Sequence, residues 1–161
     1  MKSFLTVCLI ALLIIQSITG LWGGAVLIAA PDGSLFNMPL TALKNSPFPN
    51  FLIPGFALFV LLGIVPGIAA YGMITRPTWK WPQKLSAYPD QFWAWTFALY
   101  VGLMLIIWID VQVAVIGYGD VLQAIYAVAG LAITILSLLP AVKNTYKVGR
   151  KNRTKPASNH I

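Results

Sequence analysis

FLTVCLIALLIIQSITGLWGGAVLIA, residues 4–29, contains no Asp, Glu, Lys, Arg or His. At 1.5 Å of rise per residue, about 20 apolar residues in a helix cross a hydrocarbon core about 30 Å thick. This stretch is long enough to do so. The same absence of charge recurs over 45–75, 91–109 and 121–142. The sequence therefore predicts an all-α polytopic membrane protein, a bundle of four transmembrane helices. The spans are placed near Phe4–Ala29, Phe51–Ile74, Phe92–Ile109 and Val121–Val142, forming a transmembrane domain over residues 1–142. Residues 143–161 read as a flexible basic tail. A β-barrel is excluded because barrel strands alternate in polarity over about 10 residues, whereas these segments are continuously apolar.

Composition leads to the same conclusion. Hydrophobic residues make up 58% of the chain and charged residues 9%, against about 25% charged in soluble domains. A 161-residue globule has too large a surface for its volume to hide that much apolar area.

Eleven Lys and Arg against four acidic residues, all Asp, give a net charge of +7. Six of the eleven follow Val142, in KNTYKVGRKNRTKPASNHI. No DNA-binding motif or aromatic-basic platform accompanies them, so nucleic acid is not expected as a partner. Membrane lipids are, since a Lys or Arg near an anionic surface contributes about 1 kcal/mol. Lys2, Arg76, Lys80, Lys84 and the tail fall on one side, and Lys44 alone on the other. The positive-inside rule then places both termini and the 75–90 connection in the cytoplasm, and 31–50 outside. Tryptophans 79, 81, 93 and 95 gather at the inner end of the third span.

MKSFLTVCLIALLIIQSITG also has the charged start and apolar centre of a secretory signal, with small residues near Thr19 and Gly20. The apolar run continues through LWGGAVLIAA, which favours an uncleaved first helix. Cleavage would leave three spans in the same orientation.

The external loop, PDGSLFNMPLTALKNSPFPN, turns at Asp32-Gly33-Ser34 and breaks again at Ser46-Pro47-Phe48-Pro49. Between the breaks, Met38–Leu43 suits one or two helical turns, with Pro39 in the first turn. Leu35, Phe36, Met38, Leu40 and Leu43 are too apolar for a free loop. A short interfacial helix lying against the span ends is expected.

Lipid supplies no hydrophobic drive between helices, so small residues and shared polar groups decide how they meet. Gly20 and Gly24 make a small-xxx-small step in the first span, one turn beyond Gln16. Gly63 and Gly67 make another in the second. Ala94, Ala98 and Gly102 repeat at four in the third, and Gln123, Ala127, Gly130, Thr134 and Ser137 share one face of the fourth. Pro66 removes a donor inside the second span and frees the Leu62 carbonyl, so a kink is expected there.

Two polar groups are candidates for more than packing. Gln16 is the most central, and reads as an interhelical hydrogen bond worth about 0.6 kcal/mol. Asp110 lies at the outer surface if the third helix stops at Ile109. Were the helix to continue to Ile116, the carboxylate would lie about 9 Å below its end. The interfacial reading is preferred. Asp32 and Asp120 are expected to cap or turn the chain outside.

No catalytic, cofactor or metal constellation is found. Cys8, inside the first apolar segment, and His160, at the end of the tail, are the one cysteine and one histidine and build neither a metal site nor a nucleophile-base pair within one chain, and no phosphate-binding glycine loop or nucleophile elbow is present. Asn152-Arg-Thr154 matches a glycosylation acceptor but falls in the tail assigned to the cytoplasm.

DGSLFNMPLTALKNSPFPNFLIPG, together with YPDQFWAWTF and WIDVQV, resembles a family of small uncharacterised bacterial four-helix integral membrane proteins with a DGS turn, an MPL step, an SPF and a FLIPG start to the second span. The resemblance covers about two thirds of the chain and implies a bacterial inner-membrane location and a structured outer loop. It implies no catalytic residues. The expected function is that of a non-enzymatic packing or partner-binding component, with itself or another membrane protein as partner. The alternative is an oligomeric transporter or channel subunit with Gln16 and Asp110 along a polar route.

Overall fold

A computed structural model describes residues 3–119 and 121–148. Helix α1 covers Phe4–Ala29, capped by Ser3, whose Oγ accepts from the Thr6 N–H at 3.3 Å. The second span comprises α2 (Leu52–Phe59), a π-helical turn (Val60–Ile64) and α3 (Val65–Thr75). A one-turn α4 (Trp81–Lys84) precedes α5 (Trp93–Ile116), and α6 (Val121–Leu138) is followed by a turn, α7 (Pro140–Lys143). Four of these stretches are long and apolar enough to cross a membrane: Phe4–Ala29, Leu52–Thr75, Trp93–Ile116 and Val121–Leu138. The chain is a four-helix membrane bundle.

Two boundaries differ from the sequence reading. The third span runs on to Ile116, because Asp110 and Gln112 interrupt the hydropathy of VQVAVI without interrupting its helix. What stops it is Gly117, at φ 81°, a left-handed conformation that glycine takes without steric penalty. The fourth span ends at Leu138 rather than Val142, in keeping with Pro140, which the sequence marks as the end of that helix: Leu139 before it is pushed into the extended region at φ −58° and ψ 133°.

Next to Pro66, where a kink is expected, the second span takes a π turn: the Val65 N–H reaches back five residues to the Val60 carbonyl. The turn divides the span into halves with different neighbours. Below it, α3 packs on both α1 and α5; a methyl on Gly72 would strike the Trp93 ring and the Ala94 methyl. Above it, α2 packs along α1 and scarcely touches α5.

The main core lies in the lower half, where Leu9, Leu13, Met73, Trp93, Trp95 and Ile133 are fully enclosed. At the other end, Leu27, Leu43 and Phe51 form a smaller cluster with Phe36, Met38 and Phe48. The 30–51 loop is thus held on the span ends, as its apolar content requires. Its helical pieces are 3-10 turns, Ser34–Phe36 and Leu40–Leu43, with Pro39 immediately before the second. Gly33, at φ 77°, makes the DGS turn; a methyl there would strike the Met38 carbonyl.

Candidate functional site

Two of the buried polar side chains, Gln16 and Ser17, meet the second span where α1 crosses the π turn. Pro66 has no N–H for the Leu62 carbonyl, and the Gln16 amide donates to that oxygen at 3.2 Å. One residue on, the Ser17 hydroxyl donates to the Gly63 carbonyl at 2.8 Å. Buried backbone acceptors in a membrane must be satisfied within the protein, and here the neighbouring helix supplies the donors.

Glycines make this approach close enough. A methyl on Gly20 would collide with the Leu62 carbonyl, and one on Gly24 would come within 2.6 Å of the Phe59 backbone. From the other side, a Gly63 methyl would lie 2.9 Å from the Leu21 nitrogen and a Gly67 methyl 2.8 Å from the Ser17 hydroxyl. The structure therefore brings five of the six candidate positions, Gln16, Gly20, Gly24, Gly63 and Gly67, into one interface. Gln16 is 4% exposed. Ser17 belongs to this constellation and was not singled out from sequence, although it neighbours Gln16 on the same helix.

Asp110 is elsewhere. It lies six residues before the end of α5, about 9 Å along the helix, and is exposed on the outer surface of the bundle. The third helix continues past Ile109, so the helix stop on which the interfacial reading of Asp110 rested is absent. Gln16 is buried between the first two spans and Asp110 points away from the bundle, so the polar route that would join them is not formed within one chain.

The third and fourth spans meet through the small residues expected of them. A Gly102 methyl would strike Thr134, and a Gly130 methyl would lie 3.2 Å from the Gly102 carbonyl. The Trp95 indole donates to the Ser137 carbonyl at 2.7 Å, filling an acceptor left open where Leu139 breaks the helix. Gln123 ties the preceding turn, donating to the Gly117 carbonyl and accepting from the Gly119 N–H, both at 3.2 Å. Asp120, the expected turn-former, lies outside the described residues.

The basic end is closed by aromatic rings and backbone. Trp79 stacks on Trp93 at 5.8 Å, on Tyr71 at 5.6 Å and on Trp81 at 6.3 Å. Contrary to a free tail from residue 143, the chain stays packed through Val148. The Phe92 N–H donates to the Tyr146 carbonyl and the Val148 N–H to the Asp90 carbonyl, both at 2.8 Å. Tyr146 donates its hydroxyl to the Met73 carbonyl at 2.9 Å, while the Arg76 guanidinium sits 4.7 Å from its ring centre and donates to the Thr145 carbonyl at 2.8 Å. Burial pushes the Tyr146 phenol above its usual range, with Arg76 opposing part of the shift. The remainder of the proposed tail lies outside the described residues.

At the loop end the Asp32 carboxylate accepts from the Ser34 hydroxyl at 2.8 Å and the Ser34 N–H at 3.1 Å, which holds its pKa below the ordinary value. Between α2 and α5, beneath the loop, is an apolar cavity of about 350 Å³. Among the described residues no three His, Cys, Asp or Glu gather closely enough to hold a metal ion. Compared with protein-family models, with curated proteins and with solved structures, the chain gives no match.

Proposed function

We propose that the chain is a non-enzymatic component of the bacterial inner membrane that works by contact, with lipid and with a second copy or another membrane protein. The observation that carries this reading is how the interior polar groups are used. Gln16 and Ser17 are committed to the carbonyls of Leu62 and Gly63, so they serve the fold rather than a substrate. The surfaces left over are the lysine- and tryptophan-bearing end around Trp79, Lys80, Trp81 and Lys84, and the outward-facing Asp110. The lysine bias favours placing the basic end in the cytoplasm. The DGS, MPL, SPF and FLIPG segments favour a bacterial family of the same build. We place Asp110 within the hydrocarbon, where an outward carboxylate is costly, up to about 2.5–3.5 kcal/mol at the bilayer centre on insertion scales, which favours a protein neighbour over lipid at that position.

Crosslinking in intact membranes tests the reading. A photoreactive residue at position 110 is expected to capture a protein, either a second copy or a partner identified by mass spectrometry. A photoreactive residue at Val128, on the exposed face of α6, is expected to capture lipid. Removing 149–161 should alter the recovered partners while insertion persists. Capture of lipid alone from position 110, with recovery unaffected by truncation, overturns the reading. Transport of a solute by the purified chain in vesicles would replace it with the transporter alternative.

A further inference from the structure

The cavity under the loop has the dimensions of one leaflet. On α5 its wall runs from Met104 near mid-helix to Ile116 at the end, about 18 Å at 1.5 Å per residue. On the second span it runs from Ile53 to Leu62, about 14 Å. Half of a hydrocarbon core is about 15 Å. Beyond the π turn α2 lies along α1 and scarcely touches α5, and the slot rises between α2 and α5 from the middle of the second span to the loop.

We propose that this slot binds one acyl chain of a phospholipid drawn from the leaflet on the loop side. Its volume of about 350 Å³ falls at the low end of the roughly 300–1,000 Å³ typical of ligand sites. The walls are apolar side chains such as Ala57, Leu61, Val111 and Val115. Polar lining groups are few and lie toward the upper end. The Ser46 hydroxyl is spent on the Leu43 carbonyl at 2.9 Å, whereas the Gln112 amide finds no partner among the described residues. Gln112 is about 6 Å below the end of α5, at the level of the ester carbonyls of a lipid whose tail fills the slot. Those carbonyls are acceptors for its amide.

A chain entering sideways from the bilayer suits this shape better than a partner helix. A helix with its side chains is about 10–12 Å across, and one continuing out of the membrane would run into Met38 and Phe48, which close the top. Asp110 is two residues from Gln112 and so faces nearly the opposite side of α5. Protein contact at Asp110 and lipid in the slot are therefore separate, and this inference requires only that the bundle sit in a bilayer.

Trp108 lines the slot and Trp22 faces outward on α1, 65% exposed, which provides a site probe and a bulk-lipid control. The full chain is stripped of lipid in maltoside micelles and titrated with phosphatidylglycerol brominated on its acyl chains, a quencher of indole fluorescence. Quenching that saturates near one lipid per chain is expected, and it should vanish in Trp108→Phe but persist in Trp22→Phe. Ala57→Phe, which fills the slot from α2, should raise the lipid needed for half-quenching at least tenfold. Val115→Phe does the same from α5 and serves if Ala57→Phe does not fold; Val128→Phe, remote from the slot, should leave the titration unchanged. Quenching that is linear in lipid overturns the proposal. So does saturation unaltered by a folded slot-filling variant, or disulfide formation between Val111→Cys copies showing that a second chain occupies the slot.

Discussion

The amide of Gln16 donates to the carbonyl of Leu62 at 3.2 Å, the acceptor that the Pro66 ring leaves without its helical donor. A side chain on one span thus completes the backbone of the next. The direct gain from such a bond in a membrane is about 0.6 kcal/mol, while a buried carbonyl left unpaired costs about 1–3 kcal/mol. The second term dominates. Gln16→Leu should therefore destabilise the bundle by about 1–3 kcal/mol. In a Pro66→Ala background, which restores the N–H, the same change should cost markedly less. Unfolding titrations of the four chains in micelles measure this coupling, and additive losses would show that Gln16 does not compensate for Pro66.

Glycines in the same helix should divide by what faces them. Gly20→Ala drives a methyl into the Leu62 carbonyl, which cannot move without displacing the π turn; a loss of about 1–3 kcal/mol is expected. At Gly23 the added methyl would meet only the end of the Leu58 side chain, at 3.3 Å. Gly23→Ala should be neutral or slightly stabilising, as alanine gains up to about 1 kcal/mol in a helix. Thermal unfolding of the two variants side by side checks the contrast.

Tyr146 gives the basic end a dependence on alkaline pH. Its phenol is buried against Met73 and titrates above the usual value of about 10. A folded-state value above the unfolded one means that the stabilisation is fully present below about pH 10 and is lost as pH rises through the folded value. Tyrosinate absorbance should show a late-ionising component missing from Tyr146→Phe. Early ionisation of every tyrosine would contradict the packing of 144–146.

Asp32 has the opposite sign. Its pKa is lowered by the Ser34 hydroxyl and then by the Ser34 N–H, so its contribution to the DGS turn is present above the ordinary carboxylate value of about 3.9. That contribution is lost as pH falls through the lower folded value. In Ser34→Ala the Asp32 carboxyl should titrate closer to 3.9, followed by carbon NMR of labelled aspartate. No change would mean that the hydroxyl does not hold it.

The spans were legible because length and charge decide them, and Gly20, Gly24, Gly63 and Gly67 were legible as close-contact positions, but which helix each pair would face was not. Pro66 announced a distortion, but the donors that meet the Leu62 and Gly63 carbonyls there, Gln16 and Ser17, come from another helix, which local sequence does not encode. Asp110 misplaced the end of the third span because a charge was read as a helix boundary, whereas backbone geometry at Gly117 sets the end. Packing of Asn144–Val148 was missed for a related reason. The signal there is Tyr146, one aromatic among lysines, and its acceptor on Met73 lies 73 residues away.

Where the chain is held at Phe92–Tyr146 and Asp90–Val148 bears on any handle attached to it. The apolar run ends at Val142, an inviting place to cut and append a reporter or an affinity tag. Such a junction would remove Tyr146 from the Met73 carbonyl and leave the start of α5 uncovered. A fusion placed beyond Val148 keeps both clasps, so the useful limit of the domain is set by hydrogen bonds six residues past the last hydrophobic one of the run.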